Sequence, residues 1–182
     1  MYELDAALTG WINALAGNGF ADRVMILASA CGVPLLVIAV AAQWWIGTER
    51  VKTRHALVAT GLAFLLGLAI NQIILLVVDR IRPYDAGITR LLIERSGDPS
   101  FPSDHATAAF AIAAGFLLHG MAKRGLVFLA AALLISLSRV YIGTHYVGDV
   151  MGGALTGVAA ALLVKGLYKP GTTVDRFITG IL

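Results

Sequence analysis

ALVATGLAFLLGLAINQIILLVV, residues 56–78, runs for 23 positions without a charge. As a helix it is about 35 Å long, enough to cross the roughly 30 Å hydrocarbon core of a bilayer. Four other stretches read the same way: 24–45, 103–122, 125–142 and 146–164. Lipid offers no partner to backbone amides, so spanning segments of this kind are helices. The sequence therefore predicts an all-α, polytopic membrane bundle with five transmembrane helices, or six if residues 2–18 also cross. In that N-terminal stretch Leu4, Leu8, Trp11, Ile12 and Leu15 share one helical face, with Glu3, Asp5 and Asn13 elsewhere. The pattern predicts an amphipathic helix lying in the membrane interface.

Composition supports a membrane class: 58% of the 182 residues are hydrophobic and 14% are charged, far from soluble-domain usage. A net charge of +3 without a Lys/Arg-rich tract gives no support to a nucleic-acid partner. Cys31 is alone, so no intramolecular disulfide is possible and a Cys-based metal site is not expected. The first ten residues lack a basic region followed by a cleavage site, so the first span is expected to act as the insertion signal. Residues 1–182 read as one integral-membrane domain. Its one long connection, 79–102, is charged and rich in Pro and Gly, as functional loops often are.

Threading the five spans alternately through the bilayer gathers the polar clusters on one side. There the second span enters the 79–102 loop, the third begins at Ser103, Asp104 and His105, the fourth ends at Ser138 and Arg139, and the fifth begins just after His145. The other side receives Arg50, Lys52, Arg54, Lys123, Arg124, Lys165, Lys169 and Arg176, eight of the 14 Lys/Arg. By the positive-inside rule that side is cytoplasmic. The polar side is then extracytoplasmic.

Ionisable residues at the ends of spans mark functional sites. Arg82 and Arg139 offer planar forks of donors suited to phosphate or carboxylate oxygens. Ser103, just ahead of a helix, provides an N-cap position with free backbone amides beyond it. His145 and Asp149 are four apart and share a helical face if the helix starts near His145. A carboxylate there can fix the imidazole tautomer and leave the other ring nitrogen free as a nucleophile. With His105 as a second acid/base group, the set suits phosphoryl transfer through a phosphohistidine. No Cys/His zinc spacing is present, so neither a metal nor another cofactor is expected.

These residues resemble the type 2 phosphatidic acid phosphatases, whose active-site pattern is shared with vanadium haloperoxidases. The family's SR-x5-H-x3-D motif is matched by Ser138, Arg139, His145 and Asp149, and its PSGH motif appears as Pro102, Ser103, Asp104 and His105. Of K-x6-RP only Arg82 and Pro83 match, with Leu75 at the lysine position. The resemblance covers roughly residues 70 to 160. It implies that Arg82 and Arg139 bind phosphate, that Ser103 donates to it, that His105 protonates the leaving group and that His145 attacks, held by Asp149. Arg80, two residues before Arg82, is the candidate to replace the missing lysine. Asp104 replaces the family's glycine and is either a phosphate-pocket residue, through its backbone amide, or an N-cap without a chemical role. FPSDHAT with an RP-containing loop is similar to the short bacterial branch that hydrolyses undecaprenyl diphosphate. That substrate is the expectation, with phosphatidate or phosphatidylglycerol phosphate as alternatives and a small transporter or channel as the reading from another class. The expected partners are a lipid phosphate and the bilayer, with no obligatory protein partner.

Other polar residues read more simply. His55 and His119 lie on the cytoplasmic side, away from the chemistry, and Arg90, Glu94 and Arg95 form a solvated turn. Gly148, Gly152, Gly153 and Gly157 are expected to permit close helix packing. The three tryptophans are interface anchors.

Overall fold

The computed structural model describes residues 2–46 and 49–181. Among them the chain forms seven α-helices, one 3₁₀ turn and no strand. They are α1 (Tyr2–Asn13), α2 (Gly19–Ala42), the 3₁₀ turn Gln43–Trp45, α3 (Arg50–Leu75), α4 (Asp104–Leu118), α5 (Ala122–Tyr141), α6 (Val147–Leu167) and α7 (Thr173–Thr179).

Four helical segments are long and apolar enough to cross a membrane: Gly19–Trp45, Arg50–Leu75, Ala122–Tyr141 and Val147–Leu167. The expected third span falls short of its 20 residues. α4 has 15, about 22 Å, because Gly120 adopts φ +74. The Gly120 amide bonds Leu117 O at 3.1 Å and the Met121 amide bonds Phe116 O at 3.0 Å, a Schellman stop inside the apolar run. α4 is nonetheless the central helix, packed against α3, α5 and α6. Its Ile112 and Phe116 share a core with Leu57, Phe128 and Ile135.

Small residues make this close packing possible. A Cβ on Gly157 of α6 would run into Thr107 O and come within 2.8 Å of the Ala111 amide, and one on Gly153 would strike Ser103 O. α6 thus lies directly on the backbone of α4, and the two helix starts that carry the polar motifs are held side by side.

α1 is 12 residues long, about 18 Å, too short to span. Its orientation inverts that of a surface helix on a soluble protein. Leu4, Leu8, Trp11 and Leu15 are exposed, whereas Thr9 and Asn13 are buried against the bundle. At the far end α7, which hydropathy does not reveal, folds back onto α3. His55 Nδ1 lies 2.7 Å from Asp175 Oδ1, and Arg54 donates to Thr179 O at 2.9 Å. His55 is therefore a structural partner of the C-terminal segment.

The tight α4–α6 contact leads to a test. Gly157→Leu is expected to lower the thermal unfolding midpoint in detergent, reflecting the about 1–3 kcal/mol cost of overpacking. An unchanged midpoint would mean that the two backbones can separate freely.

Candidate active site

His145 sits in the five-residue turn between α5 and α6, and the turn is built around one carbonyl. Arg139 O accepts from the amides of Thr144 (3.1 Å) and His145 (3.3 Å) and from Thr144 Oγ1 (2.8 Å). Gly143 makes the reversal at φ +85, where a Cβ would also meet Arg90 O. The imidazole is 4% exposed. Its Nδ1 lies 2.8 Å from Ser100 O, and a carbonyl can only accept, so Nδ1 carries the proton and Nε2 keeps its lone pair. Burial, together with the positive charges of Arg139 and Arg82, holds the ring below its ordinary pKa, with Asp149 opposing them.

Asp149 is fully buried in the first turn of α6. One oxygen accepts from Ser100 Oγ at 2.5 Å and the Tyr146 amide at 2.8 Å, and the other from Arg80 Nη1 at 2.6 Å. Its nearest approach to His145 Nδ1 is 3.5 Å, too long for a good hydrogen bond. The expected direct carboxylate–imidazole bond is thus replaced by a bridge: Asp149 grips the Ser100 hydroxyl, and the Ser100 carbonyl holds the ring. Ser100 carries no motif signal of its own.

Arg82, 7% exposed, donates to Asp98 O (2.8 Å), Thr144 O (3.1 Å), Ser96 Oγ (3.3 Å) and Pro99 O (3.4 Å). It pins the 79–102 loop to the His145 turn. Arg139, in the last turn of α5, donates to Ser29 Oγ of α2 at 2.5 Å. Among the described residues its buried Nε has no partner, nor does the hydroxyl of Ser103, which is 0% exposed. Ser103 occupies the N-cap position of α4 but makes no side-chain cap bond. His105 lies within electrostatic reach of Arg139, His145 and Arg82 and against the backbone of Ser29. Ser29, a lone hydroxyl in the first apolar span, could have been flagged as a polar residue inside a span.

Three residues that the sequence singles out have protein partners in the fold. Arg80, the candidate to replace the missing lysine, is engaged by protein: its guanidinium bridges Asp149 and Asp5, the latter at 2.6 Å, and lies 3.9 Å over the Tyr146 ring. Asp104 turns toward α3, where Asn71 Nδ2 donates to it at 2.7 Å. Ser138 bonds back to Ile135 O at 2.6 Å, as helical serines often do, and offers nothing to the cluster. Leu75, the lysine position, is half-buried near the end of α3.

Residues 56–171 match the PAP2 superfamily. The chain belongs to the PAP2 superfamily. It is 32% identical over 162 residues to undecaprenyl-diphosphatase BcrC of Bacillus subtilis, covering 89% of this chain and 81% of that protein. Over 88 residues it is 34% identical to the putative undecaprenyl-diphosphatase YbjG of Escherichia coli, 48% of this chain and 44% of that one. Its fold is similar to the crystal structure of a transmembrane PAP2-type phosphatidylglycerolphosphate phosphatase from Bacillus subtilis, with a TM-score of 0.67, 26% identity, and coverage of 91% of this chain and 84% of that one. This PAP2 protein is a multi-pass membrane protein.

The environment of His145 has a measurable consequence. Its ring is expected to titrate below about pH 6.5, the ordinary histidine value, and so to be neutral at pH 7. The check is ¹⁵N-histidine NMR in nanodiscs, assigned by loss of the signal in His145→Gln. A value above 6.5 would mean that Asp149 outweighs burial and the two arginines.

Proposed function

We propose that this PAP2 protein is a metal-independent lipid phosphatase that converts undecaprenyl diphosphate to undecaprenyl phosphate and inorganic phosphate. The observation that carries the reading is the pairing of a buried, Nδ1-tethered His145 with donors that have no partner among the described residues, the Ser103 hydroxyl and Arg139 Nε.

In this mechanism the terminal phosphate oxygens bind Arg82, Arg139, Ser103 and the amides at the start of α4. His145 Nε2 attacks phosphorus, and the bond to the bridging oxygen breaks in line. His105 gives a proton to the leaving oxygen. It then takes one from the water that cleaves the phosphohistidine, releasing phosphate and restoring His145. A prenyl monophosphate leaving group, whose second pKa is about 6, needs less help from His105 than an alkoxide. These four sets of donors around the phosphoryl oxygens do the work that a metal does elsewhere. Asp149 and Ser100 keep the nucleophile aimed.

The lipid half of the substrate has room beside the site. An apolar cleft of about 490 Å³ between α2 and α5, lined by Leu27, Cys31, Leu35 and Leu134 among others, adjoins the turn that carries Ser29. Residues 1–182 act as one catalytic unit in the bacterial inner membrane, with the 79–102 loop covering the site on the extracytoplasmic face. The eight Lys/Arg at the opposite end support that orientation. The names of the relatives, undecaprenyl-diphosphatases and a phosphatidylglycerolphosphate phosphatase, support the substrate class. They keep phosphatidylglycerol phosphate as the second reading.

Phosphate release by purified protein in detergent with EDTA tests this. Undecaprenyl diphosphate is expected to be turned over faster than phosphatidylglycerol phosphate or phosphatidate. His145→Ala should abolish turnover, and His105→Ala should slow it by about 10²- to 10⁴-fold on an alcohol leaving group, less on the diphosphate. Preference for a glycerolipid would overturn the substrate, and full activity in His145→Ala would overturn the mechanism. For sidedness, Ala86→Cys in a Cys31→Ser background should react with an impermeant thiol reagent in cells whose inner membrane is intact. Labelling only after lysis would reverse the orientation.

A further inference from the structure

The polar stripe of α1 lies on the active-site end of the bundle, and every member of it is engaged. Tyr2, Asp5, Thr9 and Asn13 recur at helical spacing. Tyr2 Oη is 3.5 Å from Tyr146 Oη. Thr9 Oγ1 accepts from the Val147 amide at 3.0 Å, and Asp5 Oδ1 from the Gly148 amide at 2.8 Å. These are first-turn amides of α6, which have no partner within their own helix. Asn13 pairs with the backbone of Arg90 in both directions, at 2.7 and 3.0 Å, and donates to Tyr141 O at 2.7 Å.

One of these contacts does more than attach a helix. Arg80 reaches Asp5 with one amino group and Asp149 with the other, both at 2.6 Å. Its guanidinium is stacked on Tyr146. Asp149 in turn holds Ser100, whose carbonyl holds the nucleophilic ring. The charged groups around this chain of contacts are few: Arg80 and Asp5 behind Asp149, and Arg139, Arg82 and His105 around His145.

We propose that Asp5 is a positioning residue for catalysis, acting through Arg80 on Asp149. Arg80 has two carboxylates to satisfy, and the one on α1 fixes where its fork points. With Asp5 in place, the Nη1 donor is delivered to Asp149 Oδ1, leaving Oδ2 to Ser100 and the Tyr146 amide. Without the charge on Asp5, Arg80 is free to turn its whole fork onto Asp149. It then competes with the Ser100 hydroxyl for Oδ2 and loosens the tether of His145. The defect falls on attack, not on phosphate binding, since the side chains of Arg82, Arg139 and Ser103 bond to none of these residues. Arg80 is thereby accounted for: it neutralises a buried carboxylate and is not the lysine substitute.

This inference rests on the phosphohistidine reading above, and its test separates the two. Steady-state phosphate release from undecaprenyl diphosphate is compared for the wild type, Asp5→Asn, Arg80→Gln and the double variant. Thr9→Val serves as a control that loosens α1 without touching Arg80. Asp5→Asn is expected to lower kcat by about tenfold with KM within about twofold, in the range of coupled positions. Arg80→Gln should lose at least as much, and the double variant no more than Arg80→Gln alone. Thr9→Val should lower the unfolding midpoint while keeping kcat near the wild-type value. Unchanged kcat in Asp5→Asn, additive losses in the double variant, or an equal loss in Thr9→Val would each overturn the inference and leave the parent mechanism standing. No phosphate release by the wild type would overturn both.

Discussion

Asp149 is a carboxylate with no solvent-exposed surface, placed where two apolar helices meet. A buried, unpaired charge of this kind is costly enough that a fold must supply partners or abandon the ionised state. Here the partners come from separate parts of the chain: the Tyr146 amide from its own helix start, and Ser100 and Arg80 from the two ends of the long loop. Bringing Ser100 and Arg80 together closes the loop on itself, through the Ser100 amide on Arg80 O at 2.8 Å. Closure sets Arg82 two residues on and Ser103 three residues on. Neutralising one carboxylate therefore shapes the whole face on which Arg82 and Ser103 stand.

The second constraint is steric. α4 carries alanine at positions 106, 108, 109, 111, 113 and 114, and α6 meets it with glycine. Close backbone approach lets the Ser103 amide bond Asp149 O at 3.1 Å, so the starts of the two helices are locked together. His105 and His145 then belong to one rigid frame, while the donors that the frame leaves unpaired, Ser103 Oγ and Arg139 Nε, give an anion something to gain by binding.

Much of this could be read from the residues. Spans are legible because a bilayer demands long uninterrupted apolar runs, and the nearness of His145 and Asp149 because a spacing of four brings two residues to one side of a helix start, although the link between them runs through Ser100. What could not be read depends on partners distant in sequence. From sequence Arg80 can pair with phosphate or protein, and the partner it finds in the fold, Asp5, lies 75 positions away. Asp104 was ambiguous until Asn71, 33 positions earlier, took its carboxylate. Ser100 is an ordinary loop serine whose use lies in both its hydroxyl and its carbonyl. α4 is shorter than its apolar run because Gly120 has turned left-handed, which hydropathy does not register.

α1 shows its apolar residues outward and its polar ones to the protein. Where lipid lies against such a helix it is more than a solvent for leucine and tryptophan: it is the weakly polarisable side of the Arg80 pair with Asp5 and Asp149. Ion pairs strengthen as the surrounding medium becomes less polarisable. Chain packing and headgroup hydration would then act as electrostatic variables on the contacts that stand behind His145.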